Sequence, residues 1–220
     1  FKYEYEFKND GKNVIMKILS WDSELDIWRK TFDMYYLFNS EDKLILTEFE
    51  MYFTATYKTY TKIEYSYSNN RLTKEAQYSK FEEDDLWLKD GQIDYYYDSN
   101  NWLIRVITDV WDEYFLTWVV GDKVDYVYDT KGNIIIEYGF NWEEYDGVWK
   151  ASFRTENKFD GNSNLIESVE YVPSRAVGIL ELDTKLELAY NLNAVISEIL
   201  YEWDYDLLIW LEQEKNEYSQ

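Results

Sequence analysis

The stretch that decides the fold runs from Tyr128 to Asp160 and reads YDTKGNIIIEYGFNWEEYDGVWKASFRTENKFD. An aromatic residue is followed by Asp, Lys, Gly and Asn, which favour a tight turn because Gly and Asn tolerate positive φ and Asp bonds to its own backbone. Polar and apolar residues then alternate up to Trp142 and again from Trp149 to Phe159. Because alternation with a period of two is typical of strands, the stretch predicts two antiparallel strands with a turn at each end.

This unit repeats along the whole chain. Aromatic anchors, most of them followed by a turn former, stand at Phe7, Phe38, Tyr67, Tyr97, Tyr128, Phe159 and Tyr190. The steps between them are 31, 29, 30, 31, 31 and 31 residues. A constant step of this length indicates a tandem array. We therefore predict that residues 1–220 form one repeat array of about seven units of 29–31 residues.

A second aromatic mark falls halfway through most units, as a pair of tryptophans seven residues apart. The pairs are Trp21 and Trp28, Trp111 and Trp118, Trp142 and Trp149, and Trp203 and Trp210. Phe81 and Trp87 take similar places in the third unit, and Tyr52 and Tyr57 do so in the second. The residues between them are mainly polar or acidic, which predicts a second hairpin at the opposite end of the strands. Two aromatic residues facing each other across a strand pair add roughly 0.2–1 kcal/mol.

The spacing between the two marks indicates which face of the strand each residue occupies. Ten residues separate Trp28 from Phe38, and the same number separates Trp149 from Phe159. An even separation places both ends of a strand on one face. By the same parity, the residues from Ile134 to Trp142 that are two apart share a face. We expect one face of the sheet to be aromatic and buried.

The predicted fold class is all-β, an antiparallel up-and-down meander of tandem two-stranded hairpin repeats with about fourteen strands. We expect the sheet to coil into a twisted or superhelical form, because so many strands do not stay flat and open. The predicted turns lie near residues 8–12, 22–27, 39–43, 53–56, 68–71, 82–86, 98–102, 112–117, 129–133, 143–148, 160–164, 191–195 and 204–209. Since the sequence opens within a strand pattern and Tyr218 suits a further anchor, we expect it to be a fragment of a longer array.

Composition excludes several kinds of site. Without cysteine or histidine, the chain holds no Cys/His zinc site, Ser-His-Asp triad or Cys-His dyad. The net charge of −22 argues against nucleic acid, whose phosphates require clustered Lys and Arg. No apolar run approaches the ~20 residues of a membrane helix, so membrane insertion is not expected. We predict no catalytic residue, cofactor or metal site.

Calcium is the weak exception to this prediction. The run Glu82-Glu83-Asp84-Asp85 and the turn acids Asp98, Asp129 and Asp160 carry suitable oxygen ligands. The sequence lacks the spacing of known calcium-binding loops, which favours solvated loops instead.

The stretch from Tyr128 resembles the aromatic tandem repeats of secreted and surface proteins of Bacteroidetes. Those repeats pair a Tyr-Asp-x-x-Gly-Asn turn with a later Trp-Asp…Trp hairpin, and the likeness covers nearly the whole chain. The chain is more distantly similar to the YD repeats of Rhs-type toxin shells and teneurins, which use shorter units. The resemblance implies export, often by the type IX route, and a secreted or outer-surface location.

Three functional hypotheses follow. The first is a non-enzymatic structural or adhesive module whose partners are surface proteins, glycans or neighbouring repeats of the same chain. The second is a carbohydrate-binding module that stacks sugar rings on exposed Trp and Tyr, and the third is part of an Rhs/YD-like shell. The candidate ligand-stacking residues are Trp21, Trp28, Trp111, Trp118, Trp142, Trp149, Trp203 and Trp210. The alternative for each pair is a hairpin clamp that packs against the next unit.

Overall fold

The computed structural model describes residues 1–9, 11–53, 58–81, 86–112, 116–174, 179–192 and 194–218, which form only strands and their connections. The strands are β1 (Lys2–Lys8), β2 (Asn13–Asp22), β3 (Ile27–Phe38), β4 (Leu44–Tyr52), β5 (Lys58–Ser68), β6 (Arg71–Phe81), β7 (Leu88–Tyr97), β8 (Leu103–Asp112), β9 (Thr117–Tyr128), β10 (Ile134–Glu143), β11 (Val148–Phe159), β12 (Leu165–Pro173), β13 (Leu180–Asn191), β14 (Ala194–Asp204) and β15 (Ile209–Glu217).

The strands follow one another in the sheet in chain order, from β1 to β15. This order confirms the predicted antiparallel meander, with fifteen strands where about fourteen were expected. The strand limits also confirm the predicted turn positions, although parts of the turns at 8–12, 53–56, 82–86, 112–117 and 191–195 lie outside the described residues. The predicted coiling of the sheet stays a prediction.

The chain divides into two compact units. One comprises Phe1–Tyr95 and Thr108–Val119, and the other comprises Tyr96–Ile107 and Val120–Gln220. The same hairpin features recur within each unit, so each is described by its own contacts below. The prediction of one repeat array across residues 1–220 stays a prediction.

Four of the turns that follow an anchor, those that begin at Asn39, Asp98, Asp129 and Asp160, are organised by one carboxylate or amide side chain. Asp129 Oδ1 accepts hydrogen bonds from the backbone N–H groups of Lys131, at 2.8 Å, and Asn133, at 3.0 Å. Asp129 Oδ2 accepts a third from Asn133 Nδ2 at 2.7 Å. The fourth residue, Gly132, has a φ of +89°, a left-handed conformation that suits glycine. One side chain therefore satisfies two backbone N–H groups of the turn, and backbone bonds between Asp129 and Gly132 and between Asp129 and Asn133 complete it.

The turns that begin at Asn39, Asp98 and Asp160 use the same arrangement with different residues. Asp160 accepts from the N–H groups of Asn162 and Asn164, and Asn39 from those of Glu41 and Lys43. The left-handed fourth position is occupied by Asp42, Asn101 and Ser163, with φ values of 61°, 75° and 66°. Asn39 shows that the turn requires an acceptor oxygen rather than a charge.

One extra residue is inserted into one strand of several hairpins. Trp21 is registered with Trp28, but Ile18 is registered with Phe32, so Thr31 is an unpaired bulge residue. The same insertion, three residues after the second aromatic mark, recurs at Asp90, Ser152 and Gln213. A second row of insertions follows the anchors, at Ile45, Thr73, Ile135, Ile166 and Ile196.

These bulges make the predicted face assignment wrong for the strands that run from Trp28 to Phe38 and from Trp149 to Phe159, whereas the residues two apart from Ile136 to Trp142 do share a face, as predicted. A one-residue insertion moves every later side chain of the strand to the opposite face. Trp28 therefore shares its face with Asp33 and Tyr35 rather than with Phe38. For the same reason Trp149 and Phe153 lie on opposite faces.

The expected buried aromatic face is also absent. Among the described residues, the buried hydrophobic side chains are Ala76 and Val169, with 7% and 9% of their surface exposed. Asp33 and Thr47 are more completely buried, at 1% and 2%. Large aromatic residues remain half-exposed because they lie along the strands and are covered only by their neighbours.

We predict that the anchor turns make the fold sensitive to acid. Hydrogen bonds, first of all from the side chains of Asn133 and Asn164, hold the pKa values of Asp129 and Asp160 below their usual range. A lowered folded-state pKa stabilises the protein above the unfolded value of about 3.9, and this is lost as the pH falls through the folded value. Urea denaturation between about pH 6 and pH 2.5 should therefore reveal acid destabilisation.

The matched control is Asp129→Asn combined with Asp160→Asn, which copies the natural Asn39 turn. At pH values below the folded-state pKa of both aspartates, this variant should have the same stability as the wild type. It should also lose less stability on acidification. Identical pH profiles for the two proteins would contradict the role of these carboxylates.

Candidate functional site: the tryptophan hairpins

The four tryptophan pairs face each other across their hairpins, as predicted. Trp21 and Trp28 are registered partners, with ring centroids 5.3 Å apart and planes at 66°. The other three pairs, Trp111 and Trp118, Trp142 and Trp149, and Trp203 and Trp210, have separations of 5.5, 5.3 and 5.1 Å and angles of 63°, 71° and 71°. The edge of one indole meets the face of the other in every pair. This geometry is favourable for aromatic rings and contributes about 0.5–1.5 kcal/mol beyond area burial.

The turn between the paired tryptophans fixes their separation. Asp22 Oδ1 accepts hydrogen bonds from the N–H groups of Glu24, at 3.0 Å, and Leu25, at 3.1 Å. Asp204 does the same for Asp206 and Leu207. Residues of positive φ close these turns, at Asp26, Leu116, Gly147 and Leu208. In the Trp21/Trp28 and Trp203/Trp210 hairpins, this bonding holds the turn at the length that places the two tryptophans opposite each other.

Lysines from other hairpins cover the second aromatic residue of several pairs. Within one compact unit, the Lys89 ammonium lies 4.6 Å from the ring centroid of Trp118. Within the other, Lys123 lies 5.0 Å from Trp149 and 3.9 Å from Phe140. Lys185 lies over Trp210, and Lys62 and Lys80 over Trp87. Except for Lys80, each lysine comes from the strand two places earlier in the sheet. Each cation–π contact contributes about 0.5–1 kcal/mol at an exposed site.

This covering decides what the tryptophans can bind. A sugar ring stacks on a free aromatic face. In the covered pairs, the partner indole packs against one side of the second tryptophan and a lysine ammonium lies over its ring. Trp118 is 39% exposed beneath its lysine. Trp21 and Trp28 are 47% and 43% exposed, and no described Lys or Arg lies over either ring. The contacts therefore favour a clamp for the covered pairs, while the ligand-stacking prediction for the eight tryptophans stays a prediction.

Sequence reasoning missed the lysines, although a signal was present. Lys62, Lys123, Arg154, Lys185 and Lys215 follow one another at steps of 61, 31, 31 and 30 residues, which are one or two repeat lengths. A net charge of −22 over the whole chain hides this row of cations. Each lies on a strand beside aromatic residues. The placement of these cations along the repeat, rather than their total number, allows the contacts with aromatic rings.

The second of the seven predicted repeats has a tyrosine and charged residues in place of the tryptophan pair. Lys30 and Lys58 lie 4.6 and 5.1 Å from the ring centroid of Tyr52, and Tyr57 lies outside the described residues. Lys30 Nζ donates to the buried Asp33 carboxylate at 2.7 Å, and Tyr35 OH donates to it at 3.2 Å. Burial, aided by the Asp33 charge, raises the pKa of Tyr35 to about 12. The Tyr35 phenol therefore remains protonated and serves as a hydrogen-bond donor.

The acidic residues considered for calcium are engaged otherwise or lie outside the described residues. Asp98, Asp129 and Asp160 each accept backbone N–H groups of their own turn. The run Glu82-Glu83-Asp84-Asp85 is not among the described residues. In the described ranges no three Asp or Glu side chains converge as metal ligands would. The described part of the chain also forms no helix with the length and hydrophobicity that a membrane crossing requires.

Comparison with known proteins yields only distant structural likenesses. The chain is similar to a DUF3836 family protein from Bacteroides vulgatus ATCC 8482, with 15% identity, 41% of this chain and 89% of that chain covered, and a TM-score of 0.37. A protein of unknown function from Bacteroides fragilis NCTC 9343 has 12% identity over 72% of this chain and 91% of that chain, with a TM-score of 0.36.

A third likeness is to the TcdB2-TccC3-Cdc42 structure, with 9% identity, a TM-score of 0.41 and 91% of this chain covered. The match spans only 14% of that much longer chain. No protein-family model matches the sequence, and no curated protein matches it. Because all three TM-scores are below 0.5, the argument about function depends on the geometry of the chain itself.

We predict that the paired tryptophans stabilise each other directly. Trp142→Ala and Trp149→Ala should each cost less than the about 3–5 kcal/mol of a fully buried tryptophan, because both rings are partly exposed. In a double-mutant cycle from urea denaturation, the two should couple by about 0.5–1.5 kcal/mol.

The matched control for this cycle pairs Trp142→Ala with Trp203→Ala, which lies two hairpins away. These two should be additive within about 0.5 kcal/mol. Additivity of Trp142 with Trp149 would contradict the clamp.

Proposed function

We propose that this chain is a non-enzymatic β-repeat module with a structural and adhesive role, secreted or displayed on the cell surface. The observation that carries the proposal is the repeated tryptophan hairpin whose second ring is covered by a lysine two strands away. Such contacts fasten the covered hairpins to neighbouring strands of the sheet. They support a stiff scaffold rather than a site that opens for a small substrate.

The scaffold presents similar hairpin ends many times along one chain. Weak contacts that are repeated on a shared support gain avidity without any tight individual site. The net charge of −22 suits an exposed protein, because like charges keep an open sheet soluble and discourage edge pairing. The resemblance to secreted aromatic repeats agrees with this location.

The alternative of sugar stacking on the tryptophan pairs has less support. The lysines over Trp87, Trp118, Trp149 and Trp210 occupy the faces that a sugar ring would need. A role in an Rhs/YD-like shell has no contact in the described residues that favours it over a free-standing module.

We predict that adhesion rises steeply with repeat number. The test compares the chain with tandem fusions of two and four copies, on surfaces coated with bacterial or host cell-surface polymers. Far-ultraviolet circular dichroism confirms that each protein has the same strand content. Retention should increase faster than the number of copies, because each added copy rebinds from a high local concentration.

Three results would contradict the adhesive role. Equal retention for every length indicates one dedicated site, and no retention at any length indicates a spacer without adhesion. Retention that falls in proportion to added salt on every coating indicates charge attraction alone.

A further inference from the structure

Trp102 departs from the repeat pattern. It is the fifth residue of the turn that begins at Asp98, where the equivalent residues of other turns are Lys43, Asn133 and Asn164. It lies at the anchor end of the strands and belongs to none of the tryptophan hairpins. A large aromatic residue at a position that elsewhere is polar requires an explanation of its own.

The backbone and ring of Trp102 are both held in place. Trp102 N donates to Asp98 Oδ1 at 2.8 Å, and Trp102 O accepts from Asp98 N at 2.9 Å. Its ring reaches the next turn and lies against Gly132, where an added Cβ would be 3.3 Å from the indole. The ring centroid of Tyr128 is 5.1 Å away, and Tyr128 OH is fixed by donating to Leu103 O at 2.7 Å.

A shallow cleft of about 530 Å³ opens beside these two rings. Its other walls are Asn100, Asp129 and Thr130. The Trp102 indole N–H and the Thr130 hydroxyl have no hydrogen-bond partner in the described part of the chain. No described lysine or arginine lies over Trp102, in contrast with the covered hairpin tryptophans.

We infer that this cleft binds a ring of a neutral glycan. A preorganised aromatic platform with a few polar groups at its edge matches a sugar ring, which has an apolar face and a rim of hydroxyls. The neighbouring carboxylates of Asp98 and Asp129 and the net charge of −22 disfavour an anionic ligand. The cleft is open to solvent, so a polysaccharide chain can continue past the bound ring. This site does not depend on the proposed adhesive function, because it uses none of the hairpin tryptophans.

The repeat supplies a matched variant that removes the platform and keeps the turn. One repeat later, Asn133 and Ser163 occupy the places of Trp102 and Gly132, and Asn133 Nδ2 donates to Ser163 Oγ at 3.2 Å. Ser163 has a φ of 66°, so serine is accommodated at this left-handed position. The double variant Trp102→Asn/Gly132→Ser therefore transplants a native bridge between adjacent turns in place of the aromatic contact.

The experiment is electrophoresis of the full chain through gels that contain mixed-linkage β-glucan, xylan, galactomannan, mannan or starch, with alginate as the anionic comparison. At least one neutral polysaccharide should retard the wild type. The double variant should bind about tenfold or more weakly, the scale expected for loss of a central aromatic anchor. Trp102→Phe should retain more binding than Trp102→Leu, and Leu192→Ala, a change at an exposed side chain outside the cleft, should leave the retardation unchanged.

Several results would overturn the inference. They are no retardation by any neutral polysaccharide, retardation by alginate alone, capture of an aromatic peptide but no polysaccharide, and equal retardation of the wild type and the double variant. If the double variant shows altered circular dichroism, the comparison of Trp102→Phe with Trp102→Leu decides instead, and equal binding by those two contradicts the site.

Discussion

The structure depends on contacts between neighbouring strands, because the described residues provide almost no apolar core. Ala76 and Val169 are its buried hydrophobic side chains, and the polar side chains of Asp33 and Thr47 are more deeply buried than either. Each strand pairs only with the strands before and after it in the chain. Stability must therefore come from backbone ladders, turns and cross-strand pairs, each of which contributes little and acts locally.

At both ends of the hairpins, the same local contacts recur and stabilise the chain in place of an apolar core. At the anchor end, one acceptor side chain such as Asp129 satisfies the backbone of the turn. At the other end, an edge-to-face tryptophan pair closes four of the hairpins, and in three of them a lysine from two strands away covers the second ring. Adjacent turns are also bridged, as by Lys131 Nζ to Gly161 O at 2.6 Å. A chain built in this way presents similar surfaces repeatedly, and the proposed adhesive role rests on that repetition.

The features that could be predicted from the sequence are those marked by residue types that recur at fixed steps. The repeat length, the turns and the tryptophan pairing were all visible, because Asp, Asn, Gly and Trp recur at fixed steps. The faces of the strands were not, because an inserted residue such as Thr31 or Ser152 looks like any other strand residue. The lysine row escaped notice because its partners are two strands away. Trp102 was likewise overlooked, since the contact that distinguishes it is made with Gly132, thirty residues later.

The most direct test of local stabilisation is amide hydrogen exchange of the full chain carrying Trp142→Ala. Local coupling predicts that protection falls in β10 and β11, falls less in β9 and β12, and is unchanged in β14 and β15. A uniform loss of protection across all strands would contradict the account, because it would require one shared cooperative core.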